Sequence, residues 1–83
     1  MQILEKQTPN PNAMKFTANR VLFRNRLEIE KGTPVDSDLL KRLITLDGVD
    51  HLFCCRDFIT VSKAPETSWN DLLPHILAIF NQA

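Results

Sequence analysis

The stretch TPNPNAMKF, Thr8–Phe16, joins a connection rich in proline and asparagine to an alternating strand pattern. Each proline pushes the residue before it, Thr8 or Asn10, towards an extended conformation, and neither proline can donate a hydrogen bond to a sheet. The connection is therefore predicted to be a stiff edge or crossing. The amides of Asn10 and Asn12 are expected to bond either to the backbone of this connection or to a partner molecule.

Alternating apolar and polar residues predict strands with one buried and one solvated face. Met14 and Phe16 face one way in the strand that follows the prolines, and Lys15 faces the other way. Such strands are typical of an antiparallel sheet covered on one side. Strands are predicted at Asn12–Thr17, Arg26–Glu30, Val49–Cys54 and Asp57–Lys63. Gln2–Lys6 alternates only weakly; it is predicted to be a first strand, with an ordered tail as the alternative.

The last two predicted strands form a hairpin whose tight turn is expected at Cys55–Arg56. Val49, Leu52 and Phe53 do not all fall on one face of the first of these strands. Two explanations remain open, a small bulge or an apolar patch on the outer face of the sheet.

The first helix is predicted to begin at Asp36, whose carboxylate can accept hydrogen bonds from free amide groups. Val35 is expected to pack onto Leu40 as a hydrophobic staple, and Asp47-Gly48 to end the helix with a left-handed glycine. One apolar stripe along the helix comprises Leu39, Leu40, Leu43 and Ile44.

The second helix begins near Ser68, where Ser68 and Asp71 resemble a capping box with a shorter acid. Pro74 lacks an amide hydrogen, so the helix either starts closer to Asn70 or bends at Pro74. The apolar residues at helical spacing are Trp69, Leu72, Leu73, Ile76, Leu77 and Phe80. Core packing is the favoured interpretation of Trp69 and Phe80, rather than stacking on a ligand.

These elements predict an α+β fold, a two-layer sandwich with a mainly antiparallel sheet of about five strands and two helices on one face. The 83 residues, 43% of them hydrophobic, fit one domain over residues 1–83. Ten basic residues balance ten acidic ones, so neither nucleic acid nor an acidic membrane is an expected partner. The sequence lacks a signal-peptide pattern and a long apolar run, and a cytoplasmic location is expected.

Cys54 and Cys55 are the two cysteines, and as neighbours they cannot form a disulfide framework. Adjacent residues of a strand point to opposite faces, so these thiols are poor ligands for one metal ion, even with His51 or His75 nearby. A core residue and a turn residue are the predicted roles, with no metal and no cofactor. The sequence contains no catalytic constellation, and we expect no enzymatic activity.

Three blocks of sequence resemble the N-terminal domain of Nfu/NifU-type iron–sulfur scaffold proteins. That family shows a T-P-N-P-N-x-x-K-F opening, a D-F-I-T-V strand, and a tryptophan followed by leucine and proline in the last helix. The matching segments here are Thr8–Phe16, Asp57–Val61 and Trp69–Pro74, in the same order.

In longer members of that family a C-x-x-C motif in a separate C-terminal domain holds the cluster, and this sequence has no such motif. The resemblance therefore implies the fold and an accessory role, in which scaffold or recipient iron–sulfur apoproteins are the expected partners. Two alternatives remain: a regulatory or assembly domain unrelated to iron–sulfur chemistry, and a metal or redox protein that uses Cys54 and Cys55.

The predicted partner-binding surface consists of Asn10, Asn12 and Lys15, with Asp57 and Phe58 nearby. For each of these residues a simpler structural role is also open. The asparagines and Asp57 are favoured as turn residues. Lys15 and Lys63 are expected on the solvated face of their strands.

Overall fold

The computed structural model describes all 83 residues and consists of one sheet layer and one helix layer. The sheet is antiparallel throughout, with strand order β1-β2-β5-β4-β3, so β5 is central and β1 and β3 form the two edges. The elements in chain order are β1 (Ile3–Gln7), β2 (Ala13–Ala18), β3 (Leu27–Glu30), α1 (Asp38–Ile44), β4 (Val49–Cys55), β5 (Phe58–Lys63) and α2 (Trp69–Asn81). The predicted α+β fold is confirmed.

One core lies between the sheet and the two helices. The alternation in β2 and β5 sends Met14 and Phe16, and likewise Ile59 and Val61, towards the helices. Phe16 packs against Phe80 of α2 with a ring separation of 5.7 Å. The helices contribute Leu40, Leu43, Ile44, Leu72, Ile76 and Phe80. Apolar burial of this kind supplies most of the stability of so small a domain.

The prediction that α1 begins at Asp36 is wrong, because Ser37 is the N-cap. The backbone of Ser37 is extended, and its hydroxyl accepts a hydrogen bond from the Leu40 amide at 3.3 Å. The helix also ends earlier than predicted, at Ile44, with Thr45 as its C-cap. Gly48 has a φ of +91° but directs the chain into β4 instead of capping the helix.

The hairpin turn lies at Arg56–Asp57, one residue later than predicted. Cys55 still pairs with Phe58, and Arg56 adopts the left-handed conformation with a φ of 51°. The turn is anchored to the rest of the sheet, because the carbonyl of Asp57 accepts a hydrogen bond from the Ala18 amide. Asp57 therefore lies in the turn, and the role of its side chain stays a prediction.

Both explanations for the pattern in β4 hold. The register shifts between Val49 and His51, and this bulge allows Val49 and Leu52 to be fully buried on the same side. Phe53 then points to the outer face of the sheet, where it is half-buried.

Ser68 caps α2 as predicted, and its hydroxyl accepts a hydrogen bond from the Asn70 amide at 3.1 Å. The helix starts at Trp69 and runs on to Asn81 with Pro74 inside it. Pro74 is exposed, where the carbonyl that it leaves without a helical partner can bond to water. Neither helix has the length and apolar character needed to cross a bilayer.

Two glycines with positive φ provide a matched test of the packing around the turn into β4. A Cβ added to Gly48 would lie 2.7 Å from Thr67 Cγ2, whereas a Cβ added to Gly32, at a φ of +88°, would meet no atom within 4 Å. Gly32→Ala is expected to cost about 1 kcal/mol for the left-handed backbone. Gly48→Ala is expected to cost about 1–3 kcal/mol more, because of the clash.

Urea unfolding of both glycine variants measures these costs. Equal losses in the two variants would show that Thr67 moves away without penalty. The double variant Gly48→Ala/Thr67→Ala is expected to recover part of the additional loss.

Candidate functional site

A buried lysine joins three elements at one end of the sheet. Lys63 is the last residue of β5, in phase with Ile59 and Val61, and only 8% of it is exposed. Its ammonium group donates hydrogen bonds to Asn12 Oδ1 at 3.0 Å and to the carbonyl of Ala64 at 3.4 Å. The prediction that Lys63 is solvated is wrong, because its strand position places the side chain on the helix side of the sheet.

Trp69, the first residue of α2, contacts both the connection and Lys63. Its indole Nε1 donates a hydrogen bond to the carbonyl of Pro11 at 2.9 Å, and its ring centroid lies 5.6 Å from Lys63 Nζ. The ring is half-buried, so Trp69 covers the edge of the core. We call the set Pro11, Asn12, Lys63 and Trp69 the loop clasp, because it fastens the connection between β1 and β2 to β5 and α2.

The asparagines of this connection are engaged within the chain. Asn10 Oδ1 accepts a hydrogen bond from the Asn12 amide at 2.9 Å, which forms an Asx turn, and Asn12 Oδ1 accepts from Lys63. Thr8 Oγ1 accepts from the Asn10 amide at 3.2 Å. Both side-chain oxygens thus shape the connection, and direct binding of a partner by Asn10 and Asn12 stays a prediction.

Two small grooves flank Trp69. One, of about 350 Å³, lies against the connection and includes Pro9 and Pro11. The other, of about 280 Å³, extends along α2 to Leu73, and both grooves include Met14. Gln7, an exposed residue of β1, lines both grooves.

No helix covers the outer face of the sheet, and cross-strand pairing orders its side chains into rows. One row crosses all five strands from the β1 edge to the β3 edge. We call it the charged row, because it has lysines at one end and a glutamate at the other. Its members, each directly opposite the next, are Lys6, Lys15, Thr60, Phe53 and Glu28.

An aromatic pair occupies the middle of the outer face. The rings of Phe53 and Phe58 lie 6.0 Å apart and are tilted by 39°. Lys15 Nζ lies 4.3 Å from the centroid of Phe58, within the range of a cation–π contact. Leu4 of β1 also lies on the outer face of the sheet, and 69% of it is exposed. The outer face therefore presents an aromatic pair, and aromatic residues are enriched at the centres of protein interfaces.

The structure divides the predicted partner-binding residues among three places. Lys15 and Phe58 come together on the outer face, Asn10 and Asn12 lie in the connection at one end of the sheet, and Asp57 lies in the turn at the opposite end. The sequence reasoning missed Lys6, Phe53 and Glu28, which join the outer face only through cross-strand register. It also missed Lys63, although the alternation in β5 carries that signal.

The two cysteines point to opposite sides of the sheet. Cys54 is fully buried in the core, and Cys55 is half-buried on the outer face. Burial raises the pKa of the Cys54 thiol from 9.0 to about 12, so this thiol stays protonated in the folded protein. Its contribution to stability is complete below pH 9 and is lost as the pH rises towards 12, because the unfolded thiol ionises first.

Histidines lie apart from the cysteine in the core. His51, on the outer face of β4, has Nε2 at 3.6 Å from Glu28 Oε1, and His75 is exposed on α2. No three histidine, cysteine, aspartate or glutamate side chains are grouped as a metal site would require.

Comparisons with known proteins agree with this architecture. Residues 3–83 match the family described as scaffold protein Nfu/NifU N terminal. A NifU-like protein of Schizosaccharomyces pombe is 36% identical over 81 residues, which cover 93% of this chain and 31% of that protein. Conserved virulence factor C of Staphylococcus aureus is 34% identical over 86 residues, covering 98% of this chain and 22% of that protein. The chain thus spans less than a third of these curated relatives.

Solved structures show the same fold. The crystal structure of Staphylococcus aureus protein SAV1430 has a TM-score of 0.87 at 28% identity, over 96% of this chain and 99% of that chain. The solution structure of a NifU-like protein from Saccharomyces cerevisiae has a TM-score of 0.81 at 26% identity, over 98% of this chain and 76% of that chain.

The loop clasp predicts unequal roles for the two asparagines. Asn12→Ala leaves the buried Lys63 ammonium with a single carbonyl acceptor and is expected to cost about 1–3 kcal/mol. Asn10→Ala removes an exposed turn acceptor and is expected to cost less than about 1 kcal/mol. Urea unfolding followed by circular dichroism measures both losses.

A double-mutant cycle with Lys63→Met tests the clasp directly. The cost of Asn12→Ala is expected to shrink in the Lys63→Met background, because the bond is already absent there. Additive costs would mean that the Asn12–Lys63 bond contributes nothing measurable to stability.

The cysteines are expected to differ in reactivity. At pH 8 a disulfide reagent such as DTNB should modify Cys55 in the folded protein and Cys54 only after denaturation, since Cys54 is buried and protonated. Cys55→Ser should remove the fast reaction and Cys54→Ser should keep it. Two fast thiols in the native protein would contradict the burial of Cys54.

Proposed function

Because the chain belongs to the family of Nfu/NifU scaffold-protein N-terminal domains, we propose that it is a non-catalytic protein-interaction module that works in iron–sulfur cluster assembly or delivery. Scaffold proteins and recipient apoproteins are the proposed partners. One observation carries the docking role: the aromatic pair Phe53–Phe58, with Lys15 held against it, lies on a sheet face that no helix covers.

The chemistry of the outer face supports docking. Aromatic residues are enriched at the centres of protein interfaces, where their large rings supply much of the binding energy. Phe53 and Phe58 stand on the adjacent inner strands β4 and β5, which are hydrogen-bonded on both sides, so their positions are fixed before a partner arrives. A surface that is already ordered loses little entropy on binding.

The remaining predicted residues have supporting roles in this proposal. Asn10 and Asn12 act indirectly, because their side-chain oxygens hold the connection in place through the Asx turn and Lys63. Asp57 acts through the turn that begins β5 and so positions Phe58.

The two cysteines support a role without covalent chemistry in this chain. The Cys54 thiol is protonated and enclosed by the core, whereas the thiolate is the form that attacks substrates and binds metals. Cys55 lies on the opposite side of the sheet, and the two thiols therefore do not face one common ion. In the proposed function the cluster belongs to the partners.

Affinity capture from the native cells, with mass spectrometry of the captured proteins, tests this function. The wild-type protein is expected to retain iron–sulfur scaffold or recipient proteins. A Lys15→Glu/Phe58→Thr variant is expected to retain at least tenfold less, the effect of losing about 1.4 kcal/mol of binding free energy. Lys41→Glu is the matched control, because Lys41 is an exposed lysine on α1, away from the sheet.

Circular dichroism must show that both variants are folded. Equal capture by the Lys15→Glu/Phe58→Thr variant would show that the outer face does not bind these partners. Specific partners that depend on this face but have no link to iron–sulfur proteins would instead favour a regulatory or assembly domain.

A further inference from the structure

Opposite charges are separated across the outer face. Lys6 of β1 stands directly opposite Lys15 of β2, whereas the β3 edge presents Glu28 and Glu30. Like charges directly opposite one another in a sheet repel. Neither lysine lies within ion-pairing distance of a carboxylate, and the only such contact in the structure is the one between His51 and Glu28. The lysine pair therefore lacks a counter-charge.

The spacing of the strands sets the length of a complementary molecule. Neighbouring strands lie about 4.8 Å apart, so the four steps from β1 to β3 span roughly 19 Å. An extended peptide rises about 3.3 Å per residue, and roughly six residues cover that distance. The aromatic pair lies between the two charged edges, on β4 and β5.

The size of the face favours a segment over a whole subunit. Strands of this length and spacing offer on the order of 400 Å², about half of the roughly 800 Å² that each partner contributes to a stable complex. A second copy of the chain could match the charges, because its own glutamate edge would meet the lysine edge. The small area, however, argues against a stable dimer.

We propose that the outer face binds a protein segment that is acidic at one end, apolar in the middle and basic at the other end. The segment lies across the strands, with its carboxylates over Lys6 and Lys15, its apolar side chains on Phe53 and Phe58, and its basic residue at the Glu28 edge. This inference rests on the proposed docking function, and it defines the chemistry of the partner.

NMR titration of the ¹⁵N-labelled protein with three synthetic peptides tests the charge order. The peptides are Glu-Glu-Leu-Thr-Phe-Thr-Lys-Lys, a version with glutamates at both ends, and a version with lysines at both ends. The first is expected to bind most tightly, with shifts confined to the outer face. The version with lysines at both ends is expected to bind at least tenfold more weakly, because it leaves Lys6 and Lys15 unpaired.

The variant Lys6→Glu/Lys15→Glu is expected to reverse this preference and bind the peptide with two lysine ends most tightly. Both substituted positions are solvent-accessible strand positions, and circular dichroism confirms the fold. Equal affinities for the three peptides, shifts on the helix side, or no shifts at millimolar peptide would overturn the inference.

Light scattering across a dilution series tests for a second copy as the occupant. A concentration-dependent dimer that disappears in Lys6→Glu/Lys15→Glu would show that the face binds a second copy of the chain and not a protein segment, and would overturn the inference. The peptides contain no iron–sulfur protein sequence. The peptide titration can therefore contradict the proposed charge order while the capture of iron–sulfur proteins persists. It can also support the charge order where that capture fails.

Discussion

The hydrogen bond between Lys63 and Asn12 is the constraint on which the arrangement of this protein depends. A lysine that is nine-tenths buried must keep its ammonium group solvated by protein atoms, because an unpaired charge inside a protein costs several kcal/mol. Asn12, the carbonyl of Ala64 and the ring of Trp69 perform that task without a carboxylate. The connection between β1 and β2, the end of β5 and the start of α2 must therefore come together for any of them to be satisfied.

This requirement explains why the connection between β1 and β2 is rich in stiff residues. The prolines extend the connection, the Asx turn at Asn10 bends it, and the Trp69–Pro11 bond fixes its far side to the helix. The three blocks that carry the family resemblance either form this clasp or end next to it. Stability is thereby concentrated on the helix side of the sheet, and the outer face takes no part in the loop clasp.

The sequence predicts the elements of this fold better than their contacts. Alternation located β2, β3 and β5 within about one residue, because side-chain direction in a strand follows local geometry. The cap at Ser37 and the turn at Arg56–Asp57 were each displaced by one residue, since neighbouring polar residues compete for the same role and tertiary packing selects between them. Lys15 was predicted as a binding residue because it follows the connection, whereas the structure places it against Phe58 on the outer face. Lys6, Phe53 and Glu28 were not predicted, because the sequence of a single strand does not determine which strands lie beside it or in what register.

The proposed docking makes a chain without net charge selective through local charges on the outer face. Ten basic and ten acidic residues cancel over the molecule, so long-range steering of a partner is weak. Charges about 19 Å apart on the sheet also exceed the Debye length of about 8 Å at physiological ionic strength, and the two edges act nearly independently. A partner gains from each edge only by presenting the matching charge there. In the proposed docking, the aromatic pair supplies affinity, and the charged edges determine which segment is accepted and in which direction it lies.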